Sequence, residues 1–460
     1  MKTLIINGTI ISDGIEQDAD ICFEDGLIKL IGELKGLDFG KDVEIIDAEG
    51  KYVLPGVIDP HINFGIKING VESTDDFESG TRAAVAGGVT TVIDFVLPNP
   101  DLSLAESVKE KQEKVSGRSF VDFSFHIILG KWESSFAKEI PKIIRNEGIP
   151  TFKMFFAGSS DFPIVNEGDL LLAMRAIKDE GMVLLHPENQ CLIDCLTKVL
   201  ETNKQLSSKY FSQSRPVWVE SEAIRRSAII AAQTNSRLYF TQLTSAIAFE
   251  TFRQAKEDTP NIFAQTSLPY LILSSEILEK EDGYLFIKTP PLRGKEDKWL
   301  LWNGIETGLI NVVSSDHTSF LKTSKENGRE DFRKSPDGLP GIEWLLPILY
   351  SEGVEKWKIS LPTLVHCLCD DPAKLFGIYP QKGTLQIGSD ADIVIFDLGK
   401  ITTLSSEKQF TKCDFNPYEG MSVKGAVEMV FLRGKPVFKN GEVIGPLDGG
   451  KFLKRQILIK

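Results

Sequence analysis

The stretch GVIDPHINF, residues 56–64, decides the fold prediction, because a short apolar run ends there in a cluster of polar residues. Side chains in a strand alternate between its two faces, so His61 and Asn63 are expected to point the same way. Two histidines at this spacing could bind one metal ion between them, but here the second position, Asn63, carries an amide. The stretch therefore predicts a metal site, an altered metal site, or a histidine that belongs to the core.

Seven more β-rich runs follow, and longer amphipathic segments typical of helices lie between them. The runs are VTTVIDFV, VDFSFHIIL, TFKMFFA, MVLLHPEN, LYFTQLTS, IFAQTS and INVVSSDH. Regular alternation of strands with helices is typical of a parallel sheet with helices packed around it. The pattern predicts an α/β protein whose centre is a (β/α)8 TIM-like barrel, spanning residues 53–375.

The two ends of the chain have a different pattern. Residues 1–52 contain short apolar runs separated by Gly and Asp-Gly turns, and sheet-like runs return in residues 376–460. Such runs and turns are typical of antiparallel hairpins. We expect both ends to build one small β-sandwich domain beside the barrel, followed by a short C-terminal tail.

The composition of the chain indicates which kinds of binding partner are not expected. The chain has 460 residues with 65 acidic and 52 basic side chains, a net charge of −13, which argues against nucleic acid as a partner. No apolar run approaches the ~20 residues that span a bilayer, so no membrane partner is expected. The apolar run at the N-terminus is too short for a signal peptide, and the six cysteines form no CxxC motif. Both features predict a cytoplasmic protein.

Unusual polar residues fall near the C-terminal ends of the predicted strands, where barrel enzymes carry their active sites. They are His61, Lys153, His186, Gln242 and Asp316. A single strand-end histidine is more often a core residue, and Asp316 alone could cap a helix. Lys153 is harder to explain, because a lysine inside the apolar run TFKMFF is costly unless it is paired or modified. Their joint occurrence on one face favours a site of the metal-binding type.

Several motifs together resemble the dihydropyrimidinase and hydantoinase branch of the amidohydrolase superfamily, over nearly the whole chain. They are YVLPGVIDPHINF, TFKMFFAG, VLLHPEN, TPPLRG, SSDHTSF and DDPAKLFGIYPQKGTLQIGSDADIVIFD. The resemblance implies a hydrolase of cyclic amides with a binuclear centre, usually of zinc. It implies the metal ligands His61, carbamylated Lys153, His186 and Asp316. It also implies that Asp316 carries the proton in catalysis and that Thr289 contacts the substrate through its backbone.

Three positions depart from the family pattern. Asn63 and Gln242 stand where the family has histidines, and Gly158 stands where it has a tyrosine. An amide oxygen is a weaker ligand for zinc than an imidazole, so Asn63 and Gln242 are at best weak or replaced ligands. We therefore expect at most one divalent ion per chain, zinc or another metal, on the side of His61 and Asp316.

These departures leave more than one function open. The favoured interpretation is a metal-dependent hydrolase of a small cyclic amide, with a mononuclear or weak metal site. The first alternative is a catalytically inactive family member that acts through oligomerisation or partner binding, and another is a barrel adapted to different chemistry. The resemblance also implies a homodimer or a homotetramer.

Overall fold

The structure, a computed structural model, describes residues 2–158 and 161–457. At its centre is an eight-stranded parallel sheet in which the strands follow each other in chain order. They are Val57–Asp59, Val89–Val96, Asp122–Ile128, Thr151–Phe155, Met182–His186, Leu238–Phe240, Ile262–Ser267 and Val312–Ser314. Each of the eight runs in the sequence forms one of these strands, which confirms the predicted barrel. We number them as the first to eighth barrel strands.

Helices connect the barrel strands and follow the eighth. The α-helices are Phe77–Ala86, Leu104–Val115, Phe136–Lys142, Glu167–Ile177, Gln190–Thr202, Phe211–Ser214, Val217–Thr234, Ala246–Asp258, Leu268–Ile272, Lys295–Glu306, Lys322–Lys325, Leu345–Leu349, Leu361–Val365 and Asp371–Phe376. Local sequence explains where a helix begins, as at Leu104–Val115. The Ser103 side chain accepts a hydrogen bond from the backbone N–H of Glu106, and the Glu106 side chain accepts one from the backbone N–H of Ser103. Both backbone N–H groups at the start of the helix thereby have an acceptor. Within the described ranges, no helix is both long enough and apolar enough to cross a membrane.

The chain ends form two further sheets, one built from both ends and one from the N-terminal end alone. The seven-stranded sheet has the order Glu442–Val443, Lys435–Lys439, Ser422–Leu432, Ile393–Thr403, Lys51–Pro55, Thr9–Ser12 and Ile15–Asp18. The four-stranded sheet has the order Leu27–Gly32, Asp20–Glu24, Lys2–Ile6 and Val43–Asp47. Buried side chains from both sheets, among them Ile5, Phe23, Val53 and Phe431, share one apolar cluster. This arrangement confirms the predicted β-sandwich built from both ends of the chain.

The barrel closes where the ends of the first and eighth strands meet. Ile62 and His317 form a parallel bridge across this seam. The backbone N–H of Asn63 donates to the carbonyl of His317 at 3.0 Å. The two segments that carry predicted site residues are therefore held side by side.

The carboxylate of Asp59 joins the two sides of the seam. It accepts hydrogen bonds from the backbone N–H of His61 and of Ser315, each at 3.2 Å. Full burial raises the pKa of Asp59 to about 7, although these hydrogen bonds favour its charged form. Asp59 thus satisfies two buried amide groups that would otherwise lack a partner.

Replacing Asp59 with alanine should destabilise the fold, because two buried N–H groups lose their acceptor. We expect Asp59→Ala to lower the free energy of unfolding by about 2–5 kcal/mol, measured by urea denaturation. The matched control is Asp42→Ala at an exposed position, where the same change should have little effect. Equal stability of the two variants would contradict the assigned role.

Candidate active site

A cavity of about 80 Å³ opens at the C-terminal ends of the barrel strands. The structure brings all the predicted ligand positions to it, namely His61, Asn63, Lys153, His186, Gln242 and Asp316. Thr289 and Gly158 also line the cavity. The residues that were chosen from the strand ends therefore share one pocket. Their roles in metal binding and catalysis stay predictions.

Asp316 lies at the centre of this pocket, with a backbone φ of +50° just after the eighth strand. Its Oδ2 atom accepts from the ammonium of Lys288 and from the side-chain amide of Gln242. Its Oδ1 atom lies 3.5 Å from Nδ2 of Asn63 and 3.4 Å from Nε2 of His61. Nitrogen atoms from four side chains therefore surround one buried carboxylate.

These neighbours keep Asp316 charged. Burial alone would raise its pKa, but the charge of Lys288, the nearby His61 and the hydrogen bonds from Lys288 and Gln242 outweigh that effect. The net result is a pKa below the usual value for aspartate. Asp316 is consequently an anion at neutral pH and can accept a proton.

His61 is a neutral imidazole. Burial lowers its pKa to about 3, and the nearby lysines act in the same direction, against the attraction of Asp316. Its Nδ1 atom accepts from Nε2 of Gln265 at 2.8 Å. With this amide orientation the single ring proton lies on Nε2, the atom that faces Asp316. In this state the ring gives Asp316 a donor and directs no lone pair toward it.

His186 faces oxygen atoms on both sides of its ring. Nε2 lies 2.8 Å from Oε2 of Glu188, and Nδ1 lies 3.1 Å from Oε1 of Gln242. The amide of Gln242 then continues to Asp316. Gln242 thus connects the histidine to the aspartate.

Lys153 is fully buried beside the same pocket. Its Nζ atom donates to Oγ1 of Thr241 at 2.5 Å and lies 4.9 Å from the centre of the Phe155 ring. Burial lowers its pKa to about 7, the charge of Asp316 opposes this shift, and that of Lys288 adds to it. A large fraction of Lys153 is therefore an uncharged amine near neutral pH.

Lys288 is a pocket residue that is absent from the predicted site. It is 2% exposed, and its ammonium contacts Asp316. It also lies 5.2 Å from the centre of the Tyr270 ring. The sequence did contain a signal for Lys288. A lysine in the largely apolar run LFIKTPP is costly to bury, which is the same reason for which Lys153 was singled out.

The donor set does not fit the two-ion centre that the resemblance implied. A divalent ion needs several lone pairs that point to one centre. Across residues 2–158 and 161–457, no cluster of three or more His, Cys, Asp or Glu side chains could hold a metal ion. Asn63 and Gln242 turn N–H groups toward Asp316, although the sequence suggested their oxygens as weak ligands. An ion bound to Oδ2 of Asp316 would have to displace Lys288.

Other residues singled out in the sequence surround or lie outside the pocket. His317 contacts Oδ2 of Asp75 at 3.0 Å, which fixes the loop after the eighth strand. The backbone N–H of Thr289 donates to Oδ1 of Asp337 at 2.6 Å. At Gly158 an added Cβ would meet Cβ of Phe162 at 3.7 Å, which is an ordinary van der Waals distance.

Comparisons with known proteins indicate one family. The model of the amidohydrolase family matches residues 52–165 and 348–437. A D-hydantoinase of Geobacillus stearothermophilus is 38% identical over 459 residues, covering 99% of this chain and 97% of that protein. A D-phenylhydantoinase of Escherichia coli (strain K12 / DH10B) is 32% identical over 460 residues, covering 99% and 98%. The crystal structure of dihydropyrimidinase from Brevibacillus agri NCHU1002 superposes with a TM-score of 0.96 at 35% identity and covers 100% of both chains.

The burial of Lys153 should make stability depend on pH. The ordinary lysine pKa is 10.5 and the folded value is about 7, so the unfolded chain binds more protons between these pH values. The wild type therefore gains stability as pH rises through this window. Lys153→Met should be more stable than the wild type at pH 7, and this advantage should shrink by about 1 kcal/mol per pH unit above pH 8.

Denaturant unfolding of chelator-treated protein at several pH values measures this difference. The matched control is Lys109→Met, where the side chain is 77% exposed and no pH-dependent difference is expected. A difference between Lys153→Met and wild type that stays constant from pH 7 to pH 10 would contradict the lowered pKa.

Proposed function

The chain belongs to the amidohydrolase family, and we propose that it hydrolyses a C–N bond in a small cyclic amide of the hydantoin or dihydropyrimidine type. The observation that carries this proposal is the 38% identity to a D-hydantoinase over 99% of the chain. The reported relatives are named as hydantoinases or a dihydropyrimidinase, so they give no support to an inactive family member.

Asp316 is the residue best suited to move the proton. Hydrolysis forms a bond between a water oxygen and the carbonyl carbon, breaks the ring C–N bond and transfers a proton to the nitrogen. The anionic carboxylate of Asp316 accepts the proton of the attacking water and returns it to the leaving nitrogen. Lys288 places a positive charge beside this carboxylate, where it can stabilise negative charge that develops on the carbonyl oxygen.

Family membership implies dependence on a divalent metal in general, and such an ion polarises a carbonyl and activates water when bound. For this chain the proposal is limited to at most one ion, zinc or another divalent metal, near His61 and Asp316. No catalytic step is assigned to it, because the surrounding side chains present N–H groups to Asp316. A backbone contact of Thr289 with the substrate and a homodimeric or homotetrameric assembly complete the proposal.

Removing the proton acceptor should abolish turnover. We expect Asp316→Asn to lower kcat for ring opening of hydantoin or dihydrouracil by at least about 100-fold, because proton transfer typically contributes that much. The loss of ultraviolet absorbance as the ring opens measures the rate. The exposed variant Asp42→Asn should retain wild-type activity. If neither the wild type nor this control opens a ring, the inactive alternative is favoured and the proposed function fails.

Metal content tests the limit of one ion. Elemental analysis of protein purified without chelators should give at most one divalent ion per chain. Asn63→His combined with Gln242→His should raise this value toward two, because imidazoles replace amides. Gly158→Tyr should raise activity further only in that background. Two tightly bound ions in the unmodified protein would contradict the proposal.

A further inference from the structure

We propose that the ammonium of Lys288 supplies the positive charge that a divalent ion would supply at Asp316, so that this chain holds its carboxylate in an internal ion pair and binds divalent metals weakly. This inference rests on the proposed function for the identity of the pocket. Its test measures metal binding directly, so a failure of hydrolysis and a failure of this inference give different results.

The position of Lys288 supports this role. The side chain leaves the loop that follows the seventh barrel strand and ends on Oδ2 of Asp316, with 3% of the lysine and 5% of the aspartate side chain exposed. Among the described residues, Asp316 is the one carboxylate within ion-pair distance of Lys288. The contact therefore occupies one of the two carboxylate oxygens that Asp316 could offer to a metal.

Charge makes Lys288 and a bound divalent ion exclude each other. Burying an ammonium is unfavourable unless it is paired with an anion. If an ion took Asp316, Lys288 would lose its carboxylate partner and lie close to a second positive charge in a poorly screened pocket. Binding of the ion would therefore require Lys288 to move away or to lose its proton.

The two amides act in the same direction as Lys288. Nε2 of Gln242 donates to Asp316, while its oxygen faces Nδ1 of His186. Nδ2 of Asn63 donates to Oγ1 of Thr318 at 2.9 Å and lies near Asp316. Both amides therefore present an N–H group toward Asp316, where a metal ligand would have to present a lone pair. The carboxylate of Asp316 consequently has its hydrogen-bond donors from side chains of the pocket.

The test compares zinc binding by the metal-stripped full-length chain and three variants, measured by isothermal titration calorimetry. Lys288→Met removes the charge at similar length, and Lys288→Arg keeps it. Lys325→Met is the matched control, because Lys325 is also buried but donates to the carbonyls of Ile287 and Pro336 at 3.1 and 2.9 Å. We expect Lys288→Met to bind zinc at least about tenfold more tightly than the wild type.

Thermal unfolding with and without zinc provides a second readout. Lys288→Met leaves Asp316 without its cation, so its Tm should fall in metal-free buffer and recover when zinc is added. The wild type, Lys288→Arg and Lys325→Met should show little change with zinc. The inference is overturned if the wild type binds zinc as tightly as Lys288→Met, if Lys288→Met gains no affinity, or if Lys288→Arg gains as much. Tight zinc binding by the wild type alone decides against it even if Lys288→Met does not fold.

Discussion

Closure of the barrel between its first and eighth strands is the constraint on which the pocket depends. The carboxylate of Asp59 receives backbone N–H groups from both sides of the seam, at His61 and at Ser315. Because Asp316 directly follows Ser315, the same contacts place it 3.4 Å from the ring of His61. A buried polar bridge of this kind fixes geometry, since leaving a buried amide group without its acceptor is costly. The site is thus a direct consequence of how the sheet closes.

Within that geometry, the charge of Asp316 determines how the other side chains are arranged. A buried carboxylate needs donors, and it finds them in Lys288, Gln242, Asn63 and His61. These contacts lower its pKa in spite of burial. The pocket lies at the barrel face where enzymes of this fold carry their sites, and it contains the aspartate that we propose as the proton carrier. Its positive charge, however, comes from a side chain of the protein itself.

Much of this could be predicted from the sequence, because strand ends in a parallel barrel meet on one face. The run-end residues His61, His186 and Asp316 were expected to share a pocket for that reason, and they line the same cavity. Lys288 was not predicted because it lies in a loop after the seventh strand. The sequence there has no strand or helix periodicity that would indicate where the side chain lies. The position of Gln242 could be predicted but the orientation of its amide could not, because that orientation depends on its contacts with His186 and Asp316.

By this inference Lys288, and not a divalent ion, supplies the positive charge at Asp316. Crystals of the unmodified protein grown with zinc test it by anomalous diffraction at the zinc absorption edge. We expect no anomalous peak within bonding distance of Asp316 and His61, with the Lys288 ammonium in density against the carboxylate. A strong peak bonded to Asp316, whether Lys288 is displaced or stays in contact with the carboxylate, would show that Lys288 does not take the place of the ion.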